Sequence, residues 1–405
     1  MTRPDSPPAR VLVVHEYYRL RGGEDQSVDL EIDLLQERGH IVDRWLPENR
    51  SLDQMSLVEK TSLAWRTIWS RDSYSKLMSL IRTQGPDVVH FHNTLPIISP
   101  SAIHAAHATG VPVVMTLHNY RLMCPVGTYL RDGRICEDCR THSLPRSVLH
   151  ACYRDSRVQT ATVAVMLATH RRLGTWDRCV DAYIALTDFM KSKVVEAGLP
   201  VKRVHVRGNV VHRSETSAAG LGEGAVFLGR LSEEKGVETL LRAAALPPAT
   251  RLRIVGSGPM DAAVMAAARS AGGSIEWLGH LPQEEALKIL ASSRVLIFPS
   301  ICYETFGRSI VEAMACGVPV VSSRLGAMAE IITDGHDGFL FAPGDAVQLA
   351  ERVRQLLTDD ALRERMGRAA RATYEARYST DRCYEKLMDI YRLAIESARA
   401  RRTAA

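Results

Sequence analysis

The chain has 405 residues, of which 46% are hydrophobic and 24% are charged. This length exceeds what one hydrophobic core supports, so we expect two domains, and the composition is that of a globular protein. The net charge of +5, from 51 basic and 46 acidic residues, is too small an excess to indicate a nucleic-acid partner.

Basic residues are nevertheless concentrated in one segment. Between Arg140 and Arg178 lie seven arginines, accompanied only by Asp155 and Asp177 among acidic residues. This surface is either an ordinary solvated face or a peripheral contact with anionic lipid, where each basic residue adds about 1 kcal/mol. A second candidate for contact with a membrane is the segment with Trp65 and Trp69. It either packs on its domain, which we favour, or lies at a membrane interface.

The amino terminus carries no recognisable targeting signal. It reads MTRPDSPPAR, which is polar and proline-rich, and the apolar run that follows is too short for a secretory signal. The longest strongly apolar stretch, 161–168, is too short to span a bilayer. We therefore expect a cytoplasmic protein, with peripheral contact at the inner face of the membrane as its only membrane association.

Eight cysteines are expected to be reduced in that compartment. Four of them, Cys124, Cys136, Cys139 and Cys152, are clustered in the sequence and include one C-x2-C pair. Such a pair is common in structural zinc sites, but the outer spacings are unusual. Zinc ligands and free thiols both remain open for these four residues, with free thiols the default.

The first half of the chain alternates short apolar runs with amphipathic segments. Buried strands are predicted at 11–17, 87–93, 112–119 and 181–187, with helices at 25–38 and 101–108. The pattern restarts after Gly208, with strands predicted at 225–231, 251–259, 274–279, 294–300 and 318–323. Continuous β-branched runs that alternate with helices are typical of parallel sheets covered on both faces.

The fold class is therefore α/β, with two doubly wound, Rossmann-like domains over residues 1–207 and 208–378. The segment 214–224 (SETSAAGLGEG) has the composition of a linker, and 379–405 is predicted to be a helix. Ligands of such sheets bind beyond the carboxyl ends of the strands, so two facing sheets would form an interdomain cleft.

The most informative string is PSICYETFGRSIVEAMACGVPVVSS, residues 299–323. Glu304 is predicted to lie in the loop after a strand and Glu312 in the first turns of the next helix. The amides of Phe306 and Gly307 would precede that helix, whose amino terminus suits an anionic ligand. A carboxylate placed there can accept hydrogen bonds from two sugar hydroxyls.

A second string, GRLSEEKG at 229–236, places Arg230 and Lys235 after a predicted strand. Two cations there are suited to the charge of a departing diphosphate. The sequence contains no D-x-D, the carboxylate motif with which many sugar transferases hold a metal ion. The two cations would therefore replace the metal, and we predict no metal ligands.

Two glycine turns and one histidine complete the candidate site. Gly22 and Gly23 follow the first strand and would allow a phosphate to approach the helix amino terminus. Gly256 lies in a second glycine turn, and His118 ends a predicted strand. The first turn is not G-x-G-x-x-G, so a dehydrogenase is disfavoured.

Taken together and in this order, these strings resemble the E-x7-E signature of retaining GT-B glycosyltransferases of glycosyltransferase family four. The resemblance covers nearly the whole chain. It implies that Glu304 and His118 contact the donor sugar as catalytic residues and that Glu312 holds the ribose hydroxyls. It also implies that Arg230 and Lys235 bind the diphosphate. The loops with Gly22, Gly23, Gly256, Phe306 and Gly307 would line the donor.

The resemblance further implies a UDP- or GDP-sugar donor bound by the carboxyl-terminal domain and no other cofactor. The acceptor would be a saccharide or lipid-linked saccharide of envelope or capsule polysaccharide synthesis, bound by the amino-terminal domain. Residues 379–405 would pack back on that domain. The alternatives are a GT-B sugar-nucleotide epimerase and a non-catalytic protein that binds sugar nucleotides.

Overall fold

The computed structural model describes residues 9–18, 21–48, 57–141, 143–211 and 222–404. Residues 214–221 of the predicted linker lie outside the described residues. The chain forms two compact units. Unit 1 comprises Met1–Tyr129, Glu137–Val210 and Cys383–Ala405, and unit 2 comprises Leu130–Cys136 and Val211–Arg382.

Unit 1 is built on six parallel strands, and its helices follow them along the chain. The strands are β1 (Arg10–Val14), β2 (Ile41–Trp45), β3 (Val88–Phe91), β4 (Val113–Leu117), β7 (Ala182–Ala185) and β8 (Val204–Val206). The helices are α1 (Gly23–Glu37), α2 (Leu57–Ile68), α3 (Arg71–Gln84), α4 (Ser101–Thr109), α5 (Asp138–Thr141), α6 (Pro145–Leu149), α7 (Arg157–Arg172), α8 (Thr175–Arg178) and α9 (Asp188–Glu196).

Unit 2 repeats this plan and adds a two-stranded hairpin. The hairpin strands are β5 (Leu130–Arg131) and β6 (Arg134–Ile135). The parallel strands are β9 (Ala225–Leu228), β10 (Leu252–Val255), β11 (Ile275–Gly279), β12 (Val295–Phe298), β13 (Val320–Ser323) and β14 (Gly338–Phe341). The helices are α10 (Val237–Ala244), α11 (Asp261–Ser270), α12 (Gln283–Ala291), α13 (Arg308–Cys316), α14 (Ala327–Ile331), α15 (Ala346–Thr358) and α16 (Asp360–Arg377), after which α17 (Thr380–Ala404) begins.

Both sheets are parallel and doubly wound. The strand order is β2-β1-β3-β4-β7-β8 in unit 1 and β11-β10-β9-β12-β13-β14 in unit 2. The predicted α/β class with two Rossmann-like domains is confirmed. The prediction missed β2, β8 and β14, which are all edge strands. The run IVDRW of β2 is only partly buried and carries polar residues that interrupt the apolar pattern. That reason does not apply to β14, because its run GFLF is apolar and fully buried.

The ends of several helices follow from local sequence. Ser70 caps α3 by accepting a hydrogen bond from the Ser73 amide, and Gly85 ends the helix with a φ of 63°. Asp345 and Asp359 cap α15 and α16 in the same way with their carboxylates. Each such cap stabilises its helix by about 1 kcal/mol.

The long last helix, α17, contributes to the core of unit 1. Leu387, Tyr391 and Ala394 of this helix are fully buried, in one cluster with Val11 of β1 and Ile32 of α1. Burying a large apolar side chain contributes about 1.5 to 3 kcal/mol, so this helix is an integral part of the unit.

Candidate active site

In unit 2 the chain reverses direction across the sheet between β9 and β12. From β9 it proceeds outward through β10 and β11, then returns to β12 on the other side of β9. Ligands of such sheets bind outside the carboxyl ends of the strands, at the switch point between β9 and β12. Lys235 follows β9 and Glu304 follows β12.

Lys235 and Glu304 form an ion pair at this switch point. Lys235 Nζ donates to Glu304 Oε1 at 2.7 Å. The hydroxyl of Ser300 donates to the same oxygen, and Cys302 Sγ lies 3.9 Å from it. Side-chain exposure is 28% for Lys235 and 12% for Glu304, so both charges are largely withdrawn from water. Two sequence motifs separated by 69 residues therefore meet at one point.

Lys235 keeps its positive charge because its pKa is raised. Burial on its own lowers the pKa of the ammonium group, but the Glu304 carboxylate outweighs that effect and raises the pKa to about 12. Lys235 is therefore a permanent cation at any physiological pH.

Glu312 lies in the second turn of α13, as predicted, and is buried. Its Oε1 accepts from Gln283 Nε2 at 2.8 Å, and Arg308 Nε lies 2.9 Å away. The same oxygen atom receives both groups. Gln283 and Arg308 thereby fix the orientation of the carboxylate, and neither was identified in the sequence.

Backbone segments approach very closely on this side of unit 2. A β-carbon on Gly256, whose φ is 138°, would lie 1.8 Å from the carbonyl oxygen of Gly229. A β-carbon on Gly236, whose φ is 70°, would lie 1.9 Å from the carbonyl oxygen of Pro299. Only glycine fits at either position, so the loops after β9, β10 and β12 pack backbone against backbone.

The remaining predicted residues of unit 2 differ in exposure. Gly307, with a φ of 72°, immediately precedes α13. The ring of Phe306 is buried edge-on against Tyr378, at a centroid distance of 5.8 Å, so its side chain belongs to the core. Arg230 is exposed and makes no ion pair within the described part of the chain.

In unit 1, Gly22 and Gly23 open α1. The buried Asp25 accepts a hydrogen bond from the Gly22 amide at 3.1 Å, and its other oxygen lies 2.8 Å from His15 Nε2. Nothing lies within 4 Å of a β-carbon built on Gly22, whose φ is −122°. Neither packing nor backbone conformation in the structure therefore requires glycine at position 22.

His118 follows β4 and is joined to a buried polar cluster. Its Nε2 lies 2.9 Å from Nδ1 of His92, and the two rings are stacked. Burial, followed by the neighbouring His92 and His15, holds the pKa of His118 well below its usual range, so the ring is neutral. The sequence analysis singled out His118.

The same cluster contains residues that the sequence did not reveal. Glu31 of α1 contacts both His90 Nδ1, at 3.0 Å, and Arg207. Tyr391 of α17 lies 2.9 Å from His90 Nδ1. These residues come from distant parts of the chain, and no local sequence pattern distinguishes any of them as a site residue.

Glu31, His90 and His92 are also close enough to one another to be tested as metal ligands. The Arg207 guanidinium already pairs with the Glu31 carboxylate, and the Tyr391 hydroxyl already contacts His90. A buried divalent cation beside that guanidinium would lack compensating negative charge. These residues therefore do not fit a metal ion.

The four clustered cysteines, Cys124, Cys136, Cys139 and Cys152, form no disulfide. In the described ranges, their sulfur atoms are not assembled with other ligands into a group that could hold a metal ion. No helix within those ranges is both long enough and apolar enough to cross a membrane.

Two parallel, doubly wound units define the GT-B architecture, and solved structures share it. HepE from Anabaena, solved in complex with UDP, is 18% identical with a TM-score of 0.63, covering 93% of this chain and 98% of its own. Sucrose-phosphate synthase from Thermosynechococcus elongatus is 16% identical with a TM-score of 0.68, covering 95% and 98%. At these identities the likeness establishes the fold.

Family models match both halves of the chain. Residues 21–215 match "Glycosyltransferase Family 4", and residues 218–373 match "Glycosyl transferases group 1". With the fold, these matches support a GT-B glycosyltransferase.

Curated relatives are similar in sequence to this chain over part of their length. Glycogen synthase from Mycobacterium tuberculosis is 37% identical over 154 residues, which is 36% of each chain. Phosphatidyl-myo-inositol mannosyltransferase from Mycobacterium leprae is 33% identical over 257 residues, 60% of this chain and 66% of the relative. The matched regions thus span between about a third and two thirds of these relatives.

Proposed function

We propose that this chain is a retaining glycosyltransferase that moves a hexose from a UDP- or GDP-sugar to an acceptor hydroxyl without a metal ion. The observation that carries the proposal is the Lys235–Glu304 pair at the switch point of unit 2. The pair brings a permanent cation and a carboxylate together beyond the strand ends where a ligand of such a sheet binds. A cation suits a diphosphate, and a carboxylate suits a sugar ring.

The role of each group follows from the charge that develops during transfer. The bond from the anomeric carbon to the β-phosphate oxygen breaks, leaving positive character on the sugar and negative charge on the diphosphate. Glu304 and His118 orient the sugar, and Glu304 stabilises its positive character. Lys235 and the exposed Arg230 stabilise the departing diphosphate, a role that a metal ion plays in other transferases.

Retention is proposed through a front-face step. The acceptor oxygen forms its bond to the anomeric carbon on the face from which the diphosphate leaves. The acceptor proton passes to the departing phosphate oxygen, so no separate base is required. Glu312, with one oxygen held by Gln283 and Arg308, is proposed to accept hydrogen bonds from the ribose hydroxyls with the other.

The acceptor is proposed to be a saccharide or a lipid-linked saccharide of envelope or capsule polysaccharide, which brings the enzyme to the inner face of the membrane. In support, α2 and α6 both pack against α7, and all three helices expose large apolar side chains. The exposed fractions are 75% for Trp65, 70% for Leu149 and 77% for Val158. Arg157 and Arg172 of α7 are exposed on the same group of helices.

Vesicle flotation tests this contact. Wild type should float with vesicles containing phosphatidylglycerol and remain behind with pure phosphatidylcholine. The double change Arg157→Glu and Arg172→Glu should abolish flotation, whereas Arg368→Glu on unit 2, an arginine with 74% side-chain exposure, should not. Equal flotation of all three proteins would remove the membrane proposal.

Donor binding is tested first by thermal shift, with UDP, GDP, ADP and their common hexose conjugates in the presence of EDTA. Stabilisation grows with the logarithm of ligand concentration over Kd, at about 2.7 kcal/mol for a hundredfold excess. One nucleotide should stabilise wild type selectively, and the same nucleotide should stabilise Lys235→Met less. A shift that requires added magnesium or manganese would contradict the metal-free proposal, and no shift with any nucleotide would contradict the donor site.

A further inference from the structure

A side-chain hydrogen bond in unit 2 connects helices α12 and α13. Gln283 is the first residue of α12, and its Nε2 lies 2.8 Å from Oε1 of Glu312 in α13. Glu312 is only 5% exposed, whereas Gln283 is partly exposed at the end of its helix. The buried carboxylate therefore depends on a neighbouring helix for its orientation.

The partner determines which way the Gln283 amide faces. A carboxylate can only accept hydrogen bonds, so the amide nitrogen, which donates, must point at it. With the amide turned over, two accepting oxygens would face each other without a proton between them. Gln283 is therefore a fixed donor to Oε1 of Glu312.

Arg308 contacts the same oxygen but comes from the same helix as Glu312. Its Nε lies 2.9 Å from Oε1, and the two residues are one helical turn apart. An ion pair between two side chains of one helix compensates the charge, but it does not attach the carboxylate to the rest of the unit. Gln283 supplies that attachment.

The second carboxylate oxygen of Glu312 has different surroundings. Oε2 has no hydrogen-bond partner among the described residues, and it is not one of their buried unpartnered atoms. It is therefore the part of this buried side chain that reaches solvent. With Oε1 engaged, Oε2 can accept hydrogen bonds in directions that the contact with Gln283 fixes.

We propose that Gln283 is a positioning residue that holds Glu312 Oε2 towards the ribose of the nucleotide, and that it makes the donor site selective for a ribose with both hydroxyls. The inference rests on the proposed function, in which Glu312 binds the ribose, and all the residues involved lie in unit 2. A nucleotide that covers Oε2 but lacks a hydroxyl leaves a charged acceptor unsatisfied, and a polar site rejects such a ligand strongly.

Calorimetry tests this with UDP or GDP, whichever the protein binds, and with the 2′-deoxy and 3′-deoxy forms of that nucleotide. At least one deoxy form should bind wild type about thirtyfold more weakly, which is the value of a hydrogen bond to a charged group. In Gln283→Ala the full nucleotide should bind about tenfold more weakly, whereas that deoxy form should lose less than about twofold. The discrimination should thus fall to a few-fold.

Gln348→Ala is the matched control. Gln348 lies in α15 of the same unit, and its Oε1 accepts a hydrogen bond from the Ala342 amide at 3.0 Å. This change also removes a glutamine side chain and one hydrogen bond, but it should leave the affinities for the full and deoxy nucleotides unchanged. An equal loss of discrimination in both variants would overturn the inference.

A second substitution separates positioning from direct contact. Glu312→Ala should itself remove the discrimination, and adding Gln283→Ala to it should cause no further loss, because Gln283 acts through Glu312. A further loss in the double variant would show that Gln283 touches the ligand, which would overturn the inference. Gln283 is partly exposed, so the comparison of Gln283→Ala with Gln348→Ala remains decisive if Glu312→Ala does not fold.

The outcomes distinguish this inference from the proposed function. Equal losses for the full nucleotide and its deoxy forms in Gln283→Ala would overturn the inference and leave the donor site intact. No binding of either nucleotide to wild type would overturn both. The expected discrimination in a protein that transfers no sugar would support the positioning of Glu312 and contradict the proposed function instead.

Discussion

Replacing Lys235 with methionine tests the ion pair and the diphosphate site in one protein. Methionine keeps much of the length of the lysine stem and removes the charge. Glu304 then loses its 2.7 Å partner and remains only 12% exposed. Arg230→Met is the matched control for the ion pair, because Arg230 is exposed and has no ion pair in the described structure.

The magnitude follows from the pKa of Lys235, which rises from 10.5 to about 12. That rise corresponds to about 2 kcal/mol of net favourable interaction with the charged form. A lysine whose pKa is raised on folding contributes this stability fully below pH 10.5 and loses it as the pH rises through about 12. At pH 7.5 the whole contribution is present, so Lys235→Met should lower Tm by about 4 to 8 °C.

Calorimetry measures both consequences. Without ligand, Lys235→Met should show the lower Tm, and Arg230→Met should remain within about 0.5 kcal/mol of wild type. With ligand, both changes should weaken binding of the nucleoside diphosphate by about tenfold or more, and binding of the bare nucleoside much less. An unchanged Tm for Lys235→Met would show that the ion pair does not form in solution. Equal losses for nucleoside and diphosphate would refute the assignment of both cations.

Three further changes test other parts of the structure. Glu304→Gln should abolish turnover yet tighten nucleoside diphosphate binding about three- to tenfold, because it frees Lys235 and removes a neighbouring negative charge; weaker binding in calorimetry would contradict this. Gly256→Ala should lower the free energy of unfolding, measured by urea denaturation, by about 3 kcal/mol or more, because its β-carbon would lie 1.8 Å from a carbonyl oxygen. Gly335→Ala is the control: this position also has a positive φ, but nothing lies within 4 Å of its β-carbon, so the loss should be about 1 kcal/mol. Burial lowers the pKa of His92 to about 3, so below pH 6.5 the unfolded state binds a proton that the folded state does not. The free energy of unfolding should therefore fall by about 1.4 kcal/mol per pH unit below pH 6.5. His92→Asn should flatten this pH dependence, and an unaltered slope would show that His92 is not its source.

The sequence predicted the class of fold because central strands of parallel sheets are continuous apolar runs. All the central strands were located in this way, while β2, β8 and β14 at the sheet edges were missed. The placement of Glu304 in a loop and Glu312 in the following helix was also predicted, since the glycine at 307 separates the two elements.

The partners of the site residues could not be predicted, because they are set by tertiary packing. Nothing in the local sequence indicates that Gln283 and Arg308 share one oxygen of Glu312. Likewise, Glu31 has the appearance of a surface residue of an amphipathic helix, although its carboxylate is buried against Arg207. Buried charges of this kind are recognised only when both partners are placed in space.

The most direct test of the central claim is to follow wild-type protein and UDP- or GDP-α-hexoses by proton NMR in the presence of EDTA. Glycosyltransferases release some sugar to water, so this measurement does not depend on the identity of the acceptor. The account predicts that one donor is consumed without metal, that nucleoside diphosphate appears, and that the hexose is first released as the α-anomer. It further predicts that Glu304→Gln releases none. Conversion of the donor into another sugar nucleotide would indicate an epimerase, release of the β-anomer would contradict retention, and no consumption of any donor would contradict the central claim.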